Sequence, residues 1–181
     1  MIGAGYDPTP MSKVYKMLAL AQVAENDIVY DLGSGDGRIV LTAARRFGAQ
    51  AVGIEVDPFR FLFSWFIILL SGYRSRVKLK FGNFFKERIS DATVITVFLF
   101  RPTNNKLKKK LMNELRPGSR IVSYIWPFDD WECEDALPED KIYLYVIGKR
   151  HETAEGEGRR RQEKAKECYG GQYKTEEGNS D

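Results

Sequence analysis

The chain has 181 residues, of which 43% are hydrophobic and 29% charged, so we expect one domain with a full apolar core. Basic and acidic residues number 28 and 25, giving a net charge of +3, which permits an acidic partner but gives no strong nucleic-acid signal. The single histidine, His151, rules out a histidine base in the core and argues against zinc, so we predict no metal site. Two widely spaced cysteines, Cys133 and Cys168, and no charged-then-apolar leader favour reduced thiols and a cytoplasmic location.

Strand and helix patterns alternate along the chain, which predicts an α/β fold with a mostly parallel sheet and helices on both faces. An amphipathic helix is expected over Met11 to Ala24. Further helices are predicted at 38–47, 58–71 and 104–115, and strands at 28–32, 51–55, 77–81, 93–99, 120–125 and 141–147. A closing antiparallel pair is expected, with Trp131 to Glu134 as its first strand. Residues 151–181 are rich in Gly, Glu, Lys and Arg, and we expect them to be a disordered, charged tail.

The most specific motif follows the first predicted strand: Asp31 leads into a loop with Gly33, Gly35 and Gly37. Glycines at alternate positions let a ligand approach the backbone closely, and the N-terminus of the next helix favours negative charge. A second acidic residue, Glu55, closes the next strand, where a carboxylate can accept hydrogen bonds from both ribose hydroxyls. The loop is therefore expected to bind a nucleoside-like ligand, unless it merely tightens a strand–helix junction.

Two common nucleotide-binding loops are excluded by the same stretch. The dinucleotide fingerprint requires a third glycine where this chain has Arg38. A P-loop would require Gly-Lys-Ser/Thr at the end of the loop, and the sequence has none there.

Other candidate ligand residues follow the third and fourth predicted strands. Asn83 can offer a donor and an acceptor to an adenine edge, and Phe84 can cover a ring; the alternative is an ordinary strand-end turn. Phe98 begins a segment that lacks the Asp/Asn-Pro-Pro-aromatic tetrad typical of enzymes that methylate base amines. Before the first helix, Tyr6 is held by two prolines and is expected to close over the ligand, unless this segment is only a rigid lead-in.

The helix predicted after the second strand is apolar nearly all round at 59–70. It is too short to cross a bilayer. We predict that one apolar stripe packs on the sheet, and that Phe61, Trp65 and Ile68 form a second face. The second face is expected to support a dimer or a membrane-surface contact, unless the first helix and the tail cover it. The stripe predicted to face inward consists of Phe59, Leu62, Phe63, Phe66 and Leu70.

Six motifs together resemble one family. They are Tyr-x-Pro-Thr-Pro at 6–10, the loop at 31–38, Gly-Asn-Phe-Phe at 82–85, Asn-x-x-Leu-Lys at 104–108, the segment 114–123 and Tyr-Leu-Tyr-Val-Ile at 143–147. The family is the class I S-adenosylmethionine (SAM)-dependent methyltransferases, in the small prokaryotic branch similar to archaeal protein lysine methyltransferases and Dot1-type enzymes. Two departures, the apolar helix at 59–70 and Pro102-Thr103, leave a shared substrate open.

The resemblance implies a Rossmann-like, seven-stranded, mostly parallel sheet with an antiparallel C-terminal strand. It implies a lead-in and helix at 1–25 and a SAM-binding core at 26–150. It also implies methylation of protein lysines; alternatives are a small-molecule or lipid acceptor, or SAM binding without catalysis. Tyr6 and Thr9 are implied at the transfer step. The implied SAM-binding residues are Asp31, Gly33, Ser34, Gly35, Asp36, Glu55, Val56, Gly82, Asn83, Phe84 and Phe98.

Overall fold

The computed structural model describes residues 7–148; Tyr6 and the predicted tail at 151–181 lie outside the described residues. The elements are α1 (Met11–Leu20), β1 (Ile28–Leu32), α2 (Arg38–Phe47), β2 (Gln50–Glu55), α3 (Pro58–Leu70), β3 (Val77–Phe81), β4 (Val94–Val97), α4 (Arg101–Glu114), β5 (Arg120–Tyr124), β6 (Asp135–Leu137) and β7 (Ile142–Val146), with a 3₁₀ turn at Pro138–Asp140 before β7.

Seven strands form one sheet in the order β3-β2-β1-β4-β5-β7-β6. The first five in that order pair in parallel, whereas β7 runs antiparallel to both β5 and β6. Strand order reverses between β1 and β4, and in open α/β sheets ligands bind beyond the carboxyl ends of strands at such a point. The predicted fold class is therefore confirmed, and the topology puts the glycine loop at this crevice.

Two apolar layers sandwich the sheet. One contains α1, α2 and α3 through side chains such as Met17, Val40 and Ile68, and the other contains α4 through Leu107 and Leu111. Valine and isoleucine dominate the central strands, as expected where a parallel sheet is covered on both faces. The crevice is thus carried by buried strands.

Several predicted boundaries shift. Helix α1 ends four residues early because Gln22 adopts a positive φ of 50°, which stops the helix, and Val23 N donates to Leu18 O across the end. Helix α4 begins at Arg101, so that Pro102 occupies its first turn, where a missing N–H costs no helical hydrogen bond.

The first strand of the antiparallel pair starts later than predicted, at Asp135, because Trp131 instead packs its ring at 5.2 Å from Phe128 and 5.1 Å from Tyr145. Cys133 is disulfide-bonded, so the expectation of a reduced thiol is wrong at this position.

Helix α3 is rotated opposite to the prediction. Its buried positions are Ser64 and Ile68, both 3.3 Å from where a Cβ on Gly37 would lie, so a small side chain allows the close approach. An ion pair at 3.7 Å between Arg60 and the buried Glu55 fixes the rotation. The five residues predicted to pack inward are instead all exposed: Phe59, Leu62, Phe63, Phe66 and Leu70.

Candidate functional site

The glycine loop needs its glycines. Gly33, Gly35 and Gly37 have φ values of 88°, 53° and 78°, a left-handed region that other residues adopt only at a cost. The backbone N–H groups of Gly33 and Ser34 donate to Ile54 O at 2.9 and 3.0 Å. The loop is therefore anchored to the end of β2 and held open toward the crevice.

A fourth glycine, Gly53 in β2, makes room for this loop. A Cβ at Gly53 would lie 2.7 Å from Ser34 Oγ and 2.7 Å from Leu79 Cδ2, closer than real contacts allow. Ser34 is buried and its Oγ has no hydrogen-bond partner among the described residues. Strand register supplies this contact, so the loop motif alone does not reveal that Gly53 is needed.

Glu55 is buried at the end of β2 and braces the loop. One carboxylate oxygen accepts from Gly35 N at 2.8 Å, and the other accepts from Val56 N and Asp57 N at 3.0 and 2.9 Å. Carboxylate oxygens can accept more than one hydrogen bond each. The side chain is thus held in a fixed position with capacity left for ligand hydroxyls.

Asp31 is buried in β1, two residues before the first glycine of the loop. It pairs across strands with Thr96, whose Oγ1 donates to it at 2.8 Å. Burial raises the pKa of Asp31 from 3.8 to about 7, an effect that the Thr96 hydrogen bond opposes and the negative charges of Glu55 and Asp36 reinforce. A perturbed carboxyl in a crevice is typical of a functional site.

Arg38 joins the loop to the N-terminal lead-in. Its guanidinium donates to both oxygens of Asp36, at 2.9 and 2.5 Å, and to Thr9 O at 2.9 Å. Sequence reasoning used Arg38 only to exclude a dinucleotide site and missed this role. Thr9 is buried and contributes its carbonyl to the contact, so the chain just before α1 is fixed beside the loop at this residue.

The end of β3 forms a tight turn at the crevice. Asn83 Oδ1 accepts from Phe85 N at 2.9 Å, which leaves the side-chain amide nitrogen as the donor available to a ligand. Gly82 N donates to Glu55 O at 2.9 Å, so this turn is tied to the carboxylate strand. The rings of Phe84 and Phe85 lie 4.7 Å apart.

Val56 and Phe98 also follow strands that end at the crevice. Val56 is 59% exposed, which fits a residue that can contact a ligand. Phe98 is half-buried, and its ring lies 4.8 Å from that of Tyr124 at the end of β5.

The segment after β5 is strained, which the sequence did not indicate. Ile125 has a φ of 66°, and Trp126 N donates back to Tyr124 O at 2.8 Å, a γ-turn that is rare for a β-branched residue. Trp126 O is held by Ser123 Oγ at 2.5 Å and by Nδ2 of the fully buried Asn104 at 2.7 Å. Such over-determined strain clusters at functional sites.

An open depression of about 390 Å³ lies elsewhere, between residues 85–90 and the end of α4. None of the glycine-loop residues lines it. Within residues 7–148 no cluster of three potential metal ligands occurs, and no helix there has the length and apolarity to cross a membrane.

The site and fold are those of a methyltransferase. A solved structure described as an RNA methyltransferase from Salinibacter ruber, in complex with S-adenosyl-L-homocysteine, superposes with a TM-score of 0.76 at 40% identity, covering 82% of this chain and 97% of that one. The fold is therefore shared with a protein whose structure contains S-adenosyl-L-homocysteine, the compound that SAM becomes when it gives up its methyl group.

The chain belongs to the family of the ANTKMT methyltransferase domain, whose model matches residues 31–135. It is 44% identical over 150 residues to a protein-lysine N-methyltransferase of Saccharolobus islandicus, covering 79% of this chain and 93% of the relative. It is 32% identical over 119 residues to the adenine nucleotide translocase lysine N-methyltransferase of Mus musculus, covering 65% of this chain but only 52% of that protein. The predicted resemblance to this branch, Dot1-type enzymes included, is confirmed.

Proposed function

We propose that the protein is a SAM-dependent methyltransferase that N-methylates lysine side chains of proteins. The observation that carries the proposal is the 44% identity to a protein-lysine N-methyltransferase over 93% of that relative's length. The binding of S-adenosyl-L-homocysteine by a 40% identical structure supports the cofactor.

The residues present fit SAM. The positive-φ glycine loop leaves space for a ligand against the backbone, and Glu55 is braced with capacity left for ribose hydroxyls. The Asn83 amide and the Phe84 ring are proposed to contact the adenine, which is supported by the Asn83 amide nitrogen that the turn leaves available. The proposed SAM-binding set is Asp31, Gly33, Ser34, Gly35, Asp36, Glu55, Val56, Gly82, Asn83, Phe84 and Phe98.

The proposed acceptor side is lined by Tyr6, Phe84, Tyr124 and Trp126. Bound SAM would supply an electrophilic methyl group to an incoming amine. Free lysine has a pKa of ~10.4, so the channel must favour the neutral amine; aromatic walls do so by removing water from the ammonium. No dedicated base is then needed, and most of the rate comes from positioning.

Tyr6 and Thr9 are proposed to act at the transfer step. The Arg38 contact to Thr9 O supports this because it fixes the lead-in beside the loop. Tyr6 itself lies outside the described residues, so its role stays a prediction.

RNA is the competing acceptor, because the 40% identical Salinibacter protein is described as an RNA methyltransferase. The sequence argues against methylation of the amino groups of RNA bases. Enzymes that methylate such amines carry an Asp/Asn-Pro-Pro-aromatic motif at the position where this chain has Phe98-Leu99-Phe100-Arg101. A small-molecule or lipid acceptor, and SAM binding without catalysis, are the further alternatives.

The test is to incubate the protein and a Glu55→Ala control with methyl-labelled SAM and a cell extract, and then to separate protein, RNA, lipid and small molecules. We expect label in protein, released by acid hydrolysis as methylated lysine, and at least tenfold less with the control at a SAM concentration below saturation. Label confined to RNA or lipid would overturn the lysine assignment, and SAM binding without any labelled fraction would overturn catalysis.

We also propose a cytoplasmic location and an association surface on helix 59–70, formed with a second copy or with a membrane surface. The exposure of that helix supports the second proposal. The disulfide at Cys133 argues against a cytoplasmic location, because disulfides are rare in cytosolic proteins. The exception is the intracellular proteins of hyperthermophiles, which are rich in disulfides.

A further inference from the structure

Helix α3 presents an apolar face to water along its whole length. Phe59 is 83% exposed, Phe66 56% and Leu70 71%. This surface, the α3 outer face, lies opposite the buried Ser64 and Ile68. It consists of Phe59, Leu62, Phe63, Trp65, Phe66, Leu69 and Leu70.

The α3 outer face is larger than a monomer ordinarily leaves exposed. Taking about 200 Å² for a full aromatic side chain, its four aromatics alone expose roughly 500 Å², and three leucines add to this. Soluble monomers rarely expose contiguous apolar patches above a few hundred Å², and larger ones mark interaction sites.

Neither α1 nor the C-terminal segment is suited to cover this face. Helix α1 packs against α2, β5 and β7, so the predicted alternative in which it covers α3 is wrong. Residues 149–181 contain no Leu, Ile, Val, Phe, Trp or Met, so they have little apolar surface to offer.

The charge pattern around the face identifies its partner. From Pro58 to Lys86 the chain carries six Arg or Lys and no Asp or Glu. Arg74, in the turn after α3, is exposed, whereas Lys78 on β3 lies on the opposite face of the sheet, because its neighbours Val77 and Leu79 pack in the layer that contains α3. In a two-fold dimer the same patch meets itself, which would bring its like charges together; anionic lipid headgroups would instead attract them.

We propose that the α3 outer face binds an anionic membrane surface, with α3 lying in the interfacial plane. Thirteen residues make a helix of about 20 Å, too short to span a bilayer but suited to bury one face at the headgroup boundary. Because α3 begins at Pro58, three residues after Glu55, the glycine-loop crevice then lies one helix away from the lipid surface. This inference rests on the association surface proposed above for helix 59–70 and names its partner; it does not depend on the identity of the methyl acceptor.

The test is flotation of the full chain with phosphatidylcholine vesicles, with and without 30% phosphatidylglycerol. We expect binding to the anionic vesicles that is at least tenfold stronger than to the neutral ones and that weakens at high salt. Leu62→Asn/Phe66→Asn should reduce binding at least tenfold. The matched control, Met112→Asn, removes an exposed apolar side chain from α4 and should leave binding unchanged.

Two further measurements keep the outcome interpretable. Arg74→Glu leaves the apolar face intact and should still reduce binding about fivefold or more, given the contribution of each basic residue near an anionic surface. Trp65 should shift its fluorescence to the blue on binding, and Trp65→Phe should lose that shift while still binding.

A wild-type chain that ignores anionic vesicles would overturn the proposal, as would a stable dimer in sedimentation that α3 substitutions dissociate. The same variants should bind SAM like the wild type by calorimetry. Failure of lipid binding with intact SAM binding would therefore leave the proposed enzymatic function standing.

Discussion

Asp31 gives the structure a distinctive pH dependence. Its pKa is raised from 3.8 to about 7 because the carboxyl is buried, so the folded chain holds this proton over a range in which the unfolded chain has lost it. Stability from this group is therefore greatest below about pH 4 and is lost as the pH rises to 7. At about 1.4 kcal/mol per pKa unit, ionisation costs up to about 4 kcal/mol, of which about 2–3 kcal/mol falls between pH 5 and 8.

Asp31→Asn removes this titration while keeping an oxygen to accept the Thr96 hydrogen bond. We expect the free energy of unfolding of the variant, relative to the wild type, to rise by about 2–3 kcal/mol between pH 5 and 8 in the absence of SAM. Urea unfolding at pH 5, 6, 7 and 8 measures this difference directly.

The control is Glu139→Gln, which alters an exposed carboxylate on the turn before β7 and should follow the wild-type profile. Parallel profiles for the wild type and Asp31→Asn across this range would refute the reasoning. They would show that the Asp31 carboxyl is as ionised in the folded chain as in the unfolded one.

Four further predictions follow from contacts in and around the crevice. Glu55→Ala should weaken SAM binding by roughly 1.5–3 kcal/mol through lost charge-assisted hydrogen bonds; unchanged affinity by calorimetry would reject the assignment. Tyr6→Phe and Tyr6→Ala should lower turnover more than SAM affinity, and full turnover in both would make Tyr6 part of the lead-in only. Gly53→Ala should destabilise the fold by about 1–3 kcal/mol through overpacking against the loop, with an unshifted urea midpoint as the contrary result. Asn104→Ala should remove one of the two hydrogen bonds to Trp126 O, leaving that from Ser123 Oγ, and lower kcat without changing SAM affinity; unaltered kinetics would show that the Asn104 hydrogen bond does not position the acceptor side.

Local sequence determined the elements and the loop. Short apolar segments typical of strands alternate along the chain with segments of helical periodicity. This alternation predicted the parallel sheet, because strands and helices have different side-chain periodicities. The positions of Gly33, Gly35 and Glu55 along the chain predicted the crevice, because consecutive parallel strands end at the same edge of a sheet. These features depend on spacing within one βαβ unit, which the sequence displays directly.

Local sequence did not predict which side of α3 is buried. The helix is apolar on nearly every side, so its hydrophobic pattern does not choose between faces. The rotation of α3 about its axis is determined by tertiary contacts: Ser64 packs against Gly37, and Arg60 forms an ion pair with Glu55. Both contacts join residues from different elements, and together they leave the α3 outer face exposed to solvent.

Contacts between distant residues were likewise decided only by the tertiary structure. The Arg38 bond to Thr9 O, the Asp31 pairing with Thr96 and the Asn104 bond to Trp126 O each join residues from separate elements of the chain. The sequence by itself determined which elements form and which strand ends carry the proposed site. Only the packing of those elements determined burial, and burial sets both the pKa of Asp31 and the exposed face of α3, because the environment of a side chain depends on neighbours that local patterns do not specify.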